Sequence, residues 1–165
     1  MVRALQSAAM PPSSSHSVAP PQRQRWLSVL AKAPSERLET LWQTLGVAPS
    51  YTLLRRPEIG LVMVQGRISG SGAPFAAGEM TVTRAAIRLD SGEVGIGYVG
   101  GRHPRQAELI ATIDALGQRP EWQDAIEQQI VTPLEQEADA RRTMRAAKAA
   151  ATKVDFFTVA REGGA

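Results

Sequence analysis

Two arginines in the middle of the chain have side chains well suited to binding an anion. Arg84 and Arg88 lie in the segment Thr83–Leu89, whose residue pattern predicts a β-strand. Residues four apart in a strand point to the same face of the sheet, so both guanidinium groups should share one face. A guanidinium group binds a carboxylate or a phosphate with paired hydrogen bonds. The segment therefore predicts a bound phosphate, or an ion pair with Glu79, Glu93 or a carboxylate of a partner protein.

A third arginine, Arg102, follows two glycines and precedes a predicted helix that begins near Pro104. Arginine side chains and helix N-termini both attract anions, so Arg102 is a further candidate for binding phosphate. His103, next to it, is interpreted as a helix cap or a surface residue rather than a catalytic base. Glu108 and Asp114 are six residues apart on different helix faces, so they do not form a carboxylate pair, and Asp114 should be exposed or salt-bridged.

Several kinds of catalytic site are excluded by residues that the chain lacks. There is no cysteine, which rules out disulfides, thiolate nucleophiles and thiolate-bound metal clusters. The two histidines, His16 and His103, are far apart in sequence and show no metal-ligand spacing. There is also no P-loop motif. We therefore expect no metal, no cofactor bound by this chain and no complete catalytic constellation.

The composition also narrows the choice of partner. The net charge is +3, aromatic residues make up 5% of the chain, and lysines and arginines form no long block, so nucleic acid is not the favoured partner. No apolar run approaches the roughly 20 residues of a membrane-spanning helix, so no membrane association is predicted. The chain is long enough for one domain with its own core.

The elements that must position the arginines indicate an α+β fold. Residues 1–22 are rich in proline, serine and alanine and are expected to be a disordered tail, followed by a single domain over residues 23–161. The domain should contain a four-stranded, mainly antiparallel sheet, flanked by an N-terminal pair of helices joined at Pro34 and by C-terminal helices. The predicted strands, the first two separated by a turn at Pro57 and Glu58, are Tyr51–Arg56, Gly60–Ile68, Glu79–Leu89 and Val94–Gly100.

Two further segments are candidates for close contacts. Glycines at 95 and 97 leave the last predicted strand without bulk, which permits close approach of another backbone or a ligand. Near the C-terminus, apolar and small residues recur with spacings of four and three around Met144, which indicates either internal helix packing or a helix that contacts a partner. Phe156 and Phe157 follow, and adjacent phenylalanines near a terminus either pack on the core or dock into a partner subunit. Met144, Phe156 and Phe157 are the candidate interface residues.

Eight short motifs occur in a characteristic order along the chain: Arg23–Ala31, Gly60–Val62, Phe75–Gly78, Thr83–Leu89, Gly101–Arg102, Ala107–Glu108, Ile113–Leu116 and Val154–Thr158. Taken in this order, they resemble the G subunit of the bacterial carbon–phosphorus lyase system, the PhnG family. The resemblance covers roughly Arg23 to Arg161. The chain departs from the family pattern at His103 and Gln106, where the family often has an acidic residue and a histidine.

This resemblance implies a cytoplasmic role in the use of phosphonates as a source of phosphorus. The family's G, H, I and L subunits act together to displace adenine from ATP and to place the ribose triphosphate on an alkylphosphonate. The I subunit is thought to supply the nucleosidase chemistry, and a radical SAM subunit later breaks the carbon–phosphorus bond. The implied partners are the H, I, J and L subunits, with the I subunit the most direct, while ATP and the phosphonate are substrates of the complex.

Two hypotheses from different classes follow. In the first, the chain is an obligatory subunit of a transferase complex and is structural rather than catalytic. In the second, it is a stand-alone enzyme that binds a phosphate ester through Arg84, Arg88 and Arg102. The second hypothesis predicts that the isolated chain releases adenine from ATP, whereas the first predicts release only when partner subunits are present.

Overall fold

Five α-helices and one three-stranded sheet make up the computed structural model, which describes residues 20–67 and 72–151. Phe156, Phe157 and the tail up to residue 19 lie outside the described residues. Among the helices of the described ranges, none is long and apolar enough to cross a membrane. In chain order the elements are α1 (Pro20–Lys32), α2 (Ser35–Leu45), β1 (Tyr51–Arg67), β2 (Pro74–Leu89), β3 (Val94–Gly100), α3 (Pro104–Leu116), α4 (Pro120–Ile126) and α5 (Thr132–Ala151).

The sheet has three strands in the order β1-β2-β3, and both neighbouring pairs are antiparallel. The prediction of four strands was wrong because Tyr51–Arg56 and Gly60–Arg67 form one continuous strand. Pro57 and Glu58 mark an irregular register in β1, not a turn. Proline is tolerated at that point because β1 is an edge strand, so its missing N–H removes no hydrogen bond from the ladder. The predicted antiparallel hairpin of the last two strands is confirmed.

Helix α3 packs on one face of the sheet, here called the inner face, and forms the centre of the core. Its ten residues from Gln106 to Leu116, apart from Glu108, are buried, and they meet alternate residues of β2 and β3. Helices α1, α2 and the segment around Ile126–Leu134 close the core from the other side. The opposite face of the sheet is here called the outer face. No helix of the described residues covers it at β3, where Val94, Ile96 and Tyr98 are exposed.

The close approach predicted at the glycines of β3 is that of the α3 backbone. A Cβ atom on Gly97 would lie 1.8 Å from the carbonyl oxygen of Ala107, and one on Gly95 would lie 1.9 Å from that of Ala111. Real side-chain atoms cannot approach that closely. The two glycines are therefore required so that α3 can lie directly against β3.

One turn of π-helix, Glu127–Val131, separates α4 from α5 and is held in place by α1. Arg25 of α1 donates hydrogen bonds to both Glu127 and Glu135, at 2.6–3.0 Å, and the indole N–H of Trp26 donates to Glu127 at 2.6 Å. The arginine, and then the indole, lower the pKa of Glu127 below its usual value of 4.5. The N-terminal helix is thereby tied to the C-terminal half of the chain by a carboxylate that must stay ionised.

We expect Glu127 to make the fold less stable at acidic pH than at neutral pH. Because its pKa is lower in the folded than in the unfolded state, its contribution is present above about pH 4.5 and is lost as the pH falls through the folded-state pKa. The Glu127→Gln variant should lose about 1 kcal/mol at pH 7, since the network is partly exposed. Thermal unfolding of the parent chain and of Glu127→Gln between pH 3 and pH 7 measures this difference. If the melting temperatures of the two proteins fall in parallel as the pH decreases, Glu127 is not the cause of the pH dependence.

Candidate partner interface and anion-binding residues

The outer face of the sheet carries exposed apolar side chains beside the predicted arginines. Arg84 is paired across the strands with Tyr98, and Arg88 is paired with Val94, so the two arginines do share one face as their spacing predicted. Tyr98, Ile96 and Val94 remain substantially exposed. A monomeric protein seldom exposes a row of large apolar side chains on a rigid sheet, and tyrosine and arginine are enriched in protein–protein interfaces. This arrangement is typical of a surface that another chain covers.

Arg84 has a carboxylate partner within the chain. Its Nε donates a hydrogen bond to Oε1 of Glu58, which also accepts one from Arg55. The two guanidinium groups, Arg84 first, lower the pKa of Glu58 below its usual value. The sequence predicted a phosphate, Glu79, Glu93 or a partner's carboxylate as the anion, whereas Glu58 was expected to lie in a turn and was not predicted. One carboxylate shared by two arginines leaves a net positive charge at this end of the outer face.

Arg88 and Arg102 differ from Arg84, because within the described ranges neither forms an ion pair. Both are exposed. Arg88 is opposite Val94 at the start of β3, whereas Arg102 lies just beyond the end of that strand at Gly100. With a rise of about 3.4 Å per residue, six residue steps separate the ends of β3 by about 20 Å. The three arginines are therefore spread along the sheet and do not surround a single phosphate group.

The turn that carries Arg102 is held rigidly by a residue that the sequence analysis did not single out. The hydroxyl group of the fully buried Thr83 donates to the carbonyl oxygen of Gly101 at 2.7 Å and accepts from the backbone N–H of His103 at 3.0 Å. Gly101 has a φ of 88°, a left-handed conformation that favours glycine. His103 precedes α3 and its side chain makes no capping hydrogen bond. The sequence did contain a signal for this contact. Thr83 precedes Arg84 on the opposite, buried face of the strand, and a buried threonine hydroxyl group needs a hydrogen-bond partner.

The two carboxylates predicted to be separate have separate roles. Asp114 is salt-bridged to Arg23 through two hydrogen bonds of 2.7 and 2.8 Å, and it also accepts the backbone N–H of Ile96 at 2.9 Å. Glu108 accepts a hydrogen bond from the hydroxyl group of Tyr51, which raises the pKa of that tyrosine. Both carboxylates therefore bind groups of the same chain and hold its elements together.

A second concentration of positive charge lies between α1 and α5, where the sequence analysis had proposed no site. Lys32, Arg141, Arg142 and Arg145 line an open cleft of about 270 Å³. Arg142 is 3.2 Å from Asp139 and Arg141 is 3.9 Å from Glu137, so part of this charge is balanced locally. In the same part of the chain, Met144 has 71% of its side chain exposed. The C-terminal half of α5 thus presents charged and apolar groups to solvent in the isolated chain.

In the described residues, no three or more histidine, aspartate or glutamate side chains are grouped so as to hold a metal ion. The ion pairs of Arg23 and Arg25 link α1 to α3, to the π-helical turn and to α5. The outer face of the sheet presents exposed apolar side chains and arginines, a combination that is suited to binding another protein.

Comparison with known proteins agrees with the motifs found in the sequence. A family described as "Phosphonate metabolism protein PhnG" matches residues 21–162, nearly the whole chain. The α-D-ribose 1-methylphosphonate 5-triphosphate synthase subunit PhnG of Rhizobium meliloti (strain 1021) is 41% identical over 143 residues, which covers 85% of this chain and 89% of the relative. A match of this length and identity establishes the family. The chain therefore belongs to the PhnG family of phosphonate metabolism proteins.

Proposed function

We propose that this chain is the G subunit of an α-D-ribose 1-methylphosphonate 5-triphosphate synthase, and that it contributes a binding surface to that complex, not catalytic groups. The relative that is 41% identical is named as a subunit of this synthase. The proposed binding role rests on the outer face of the sheet. There Val94, Ile96 and Tyr98 are exposed beside Arg84 and Arg88. Because ATP is a substrate of the proposed complex, we place it in the cytoplasm.

The outer face is proposed to contact the I subunit, with the H, J and L subunits as further members of the system. The exposed apolar and aromatic side chains of the edge strand β3 lie beside Arg84 and Arg88 of the central strand β2, and aromatic residues and arginine are enriched in protein–protein interfaces. The net positive charge left by Arg55, Glu58 and Arg84, together with Arg88, which has no ion-pair partner among residues 20–67 and 72–151, fits a partner surface that offers a carboxylate at this position. Met144, Phe156 and Phe157 remain predicted interface residues.

A single substitution on the outer face should weaken the complex strongly. We expect Tyr98→Asp to weaken binding to a matched I subunit by about 30-fold or more, because it replaces an exposed aromatic side chain of the proposed contact with a charge that would have to be desolvated. The affinity can be measured by titration of the purified subunits. The matched control is Gln43→Asp on α2, which adds the same charge at an exposed position and should bind normally. Normal binding by Tyr98→Asp would overturn the proposed interface.

The two hypotheses on catalysis are separated by an assay of adenine release. The isolated chain should release no adenine from ATP in the presence of an alkylphosphonate, and release should begin when the partner subunits are added. Release by the isolated chain would favour the stand-alone enzyme. In the assembled complex, Arg88→Ala and Arg102→Ala distinguish the two kinds of anion. Loss of kcat/KM with an intact complex indicates contact with phosphate, whereas loss of assembly indicates a partner carboxylate.

A further inference from the structure

A three-stranded sheet has two free edges, and in this chain one of them is blocked. Two backbone groups at the free edge of β3 are bonded to side chains of α3 and of the turn that follows it. The N–H of Ile96 donates to Asp114 at 2.9 Å, and the carbonyl oxygen of Val94 accepts from the side-chain amide of Gln118 at 2.7 Å. A strand from another protein cannot pair along β3 without displacing these bonds. Such coverage is one of the ways in which proteins protect sheet edges.

The first half of β1 is also protected, but its second half is not. The register with β2 shifts between Leu53 and Arg55 and again between Arg55 and Glu58, and Pro57 lies within the second irregularity. Bulges and prolines both discourage pairing at an edge. From Ile59 to Val64 the register is regular, and this segment contains no proline and no charged residue. This stretch of the β1 edge therefore has no protective device of these kinds.

The direction of the backbone groups follows from the contacts at the other edge. Val94 and Ile96 turn their backbone groups away from β2, so the residues between them and after them, Gly95, Gly97 and Val99, are the ones that bond to β2. These three residues pair with odd-numbered residues of β2. The backbone groups of the even-numbered residues of β2 therefore point toward β1. These even-numbered residues pair with Gly60, Val62 and Val64. The N–H and C=O groups of Ile59, Leu61 and Met63 consequently point to the free edge.

The same three residues expose their side chains. Ile59, Leu61 and Met63 are 46%, 64% and 58% exposed, and they alternate along the inner face of the sheet. Further along the sheet, α3 covers this face at Ala85 and Ile87. The end of the hairpin thus extends beyond the helix layer as a two-stranded arm, and an isolated pair of strands is only marginally stable in water.

We propose that a β-strand of another subunit of the synthase pairs with the open edge of β1 from Ile59 to Val64. This inference rests on the function proposed above. An added strand would satisfy the outward-facing backbone groups of Ile59, Leu61 and Met63, and its alternate apolar side chains would pack beside their exposed side chains. Specificity would come from this apolar row, while the backbone hydrogen bonds would supply affinity.

A different subunit fits this edge better than a second copy of the chain. Six residues span only about 20 Å of strand, and self-pairing along so short an edge falls well below the approximately 800 Å² per partner of a stable interface. A larger partner adds the missing area, because the exposed side chains of Val64 and Met80 lie on the outer face of the same arm, and β2 runs without interruption from there to Arg84 and Arg88. The open edge and the outer face are therefore parts of one hairpin.

The test compares Leu61→Pro with Leu61→Thr in the full chain, each titrated with the partner subunits. Proline removes an outward-facing N–H and leaves the ladder between β1 and β2 intact, so binding should weaken by about tenfold or more. Threonine retains that N–H and favours strands, so its loss should be clearly smaller. Normal binding by Leu61→Pro, or an equal loss in both variants, would overturn strand pairing. Tyr98→Asp, which lies outside the arm, reports separately on the interface proposed above.

Hydrogen exchange gives a second measurement that needs no substitution. In the free chain the amides of Ile59, Leu61 and Met63 should exchange fast, while those of Gly60, Val62 and Val64 are protected by β2. In the complex the first three should become protected as well. Unchanged fast exchange in an assembled complex would contradict the proposal. Protection in the chain alone, together with the mass of a dimer in light scattering, would show that a second copy occupies the edge and would also overturn it.

Discussion

The Gly97→Ala variant is expected to lose a large part of the stability of the fold. The added Cβ would lie 1.8 Å from the carbonyl oxygen of Ala107 and 3.0 Å from the amide nitrogen of Ala111, and both atoms belong to the backbone of the central helix. Neither can move aside as a flexible side chain would, so α3 must shift away from β3. We expect a loss of at least about 3 kcal/mol, a large part of the 5–15 kcal/mol that is typical of a domain. Urea unfolding of the purified chain measures this loss.

The control for this prediction lies in the same strand. A Cβ on Gly100 would meet only the Cε atom of Met80 at 4.0 Å, which is an ordinary contact. Gly100→Ala should therefore change the free energy of unfolding by less than about 0.5 kcal/mol. Equal stability of Gly97→Ala and Gly100→Ala would show that β3 and α3 are not packed backbone against backbone. Because the other side of β3 forms the outer face, Gly97→Ala should also weaken assembly with partners.

The second large effect is expected from the removal of Asp114. Its side chain is 2% exposed and accepts hydrogen bonds from Arg23 of α1 and from the backbone of Ile96 in β3. Alanine would leave the amide of Ile96 without its partner and would release α1 from the sheet. Arg23 is 36% exposed and can be rehydrated, so the loss should be about 2–3 kcal/mol and less than that of a fully buried pair.

Calorimetry or urea unfolding of Asp114→Ala measures this loss, and Asp124→Ala, which removes an exposed carboxylate, is the matched control that should stay within about 0.5 kcal/mol of the parent. A double-mutant cycle with Arg23→Ala isolates the pair itself. If Arg23→Ala costs as much as Asp114→Ala, the salt bridge dominates. If Asp114→Ala costs no more than the control, its role in joining α1, β3 and α3 is refuted.

Local patterns in the sequence were enough to predict the helices and the hairpin of β2 and β3. The two N-terminal helices flank Pro34 as expected, and Gly46 ends α2 with a left-handed φ of 68°. Such signals act within a few residues, which is why they can be read along the chain. The division of β1 at Pro57 could not be corrected from sequence, because whether proline ends a strand depends on whether that strand lies at an edge. Only the sheet order decides this.

The sequence by itself determined the family, the α+β class and the common face of Arg84 and Arg88, since motif order and side-chain alternation are properties of the chain alone. The tertiary structure decided what those residues meet. Glu58 lies 26 residues from Arg84, and Asp114 lies 91 residues from Arg23. Contacts of that kind depend on how strands and helices pack, as do the backbone that faces Gly97 and the edge that remains open at Leu61. The anion that Arg84 binds is the carboxylate of Glu58 in the same chain.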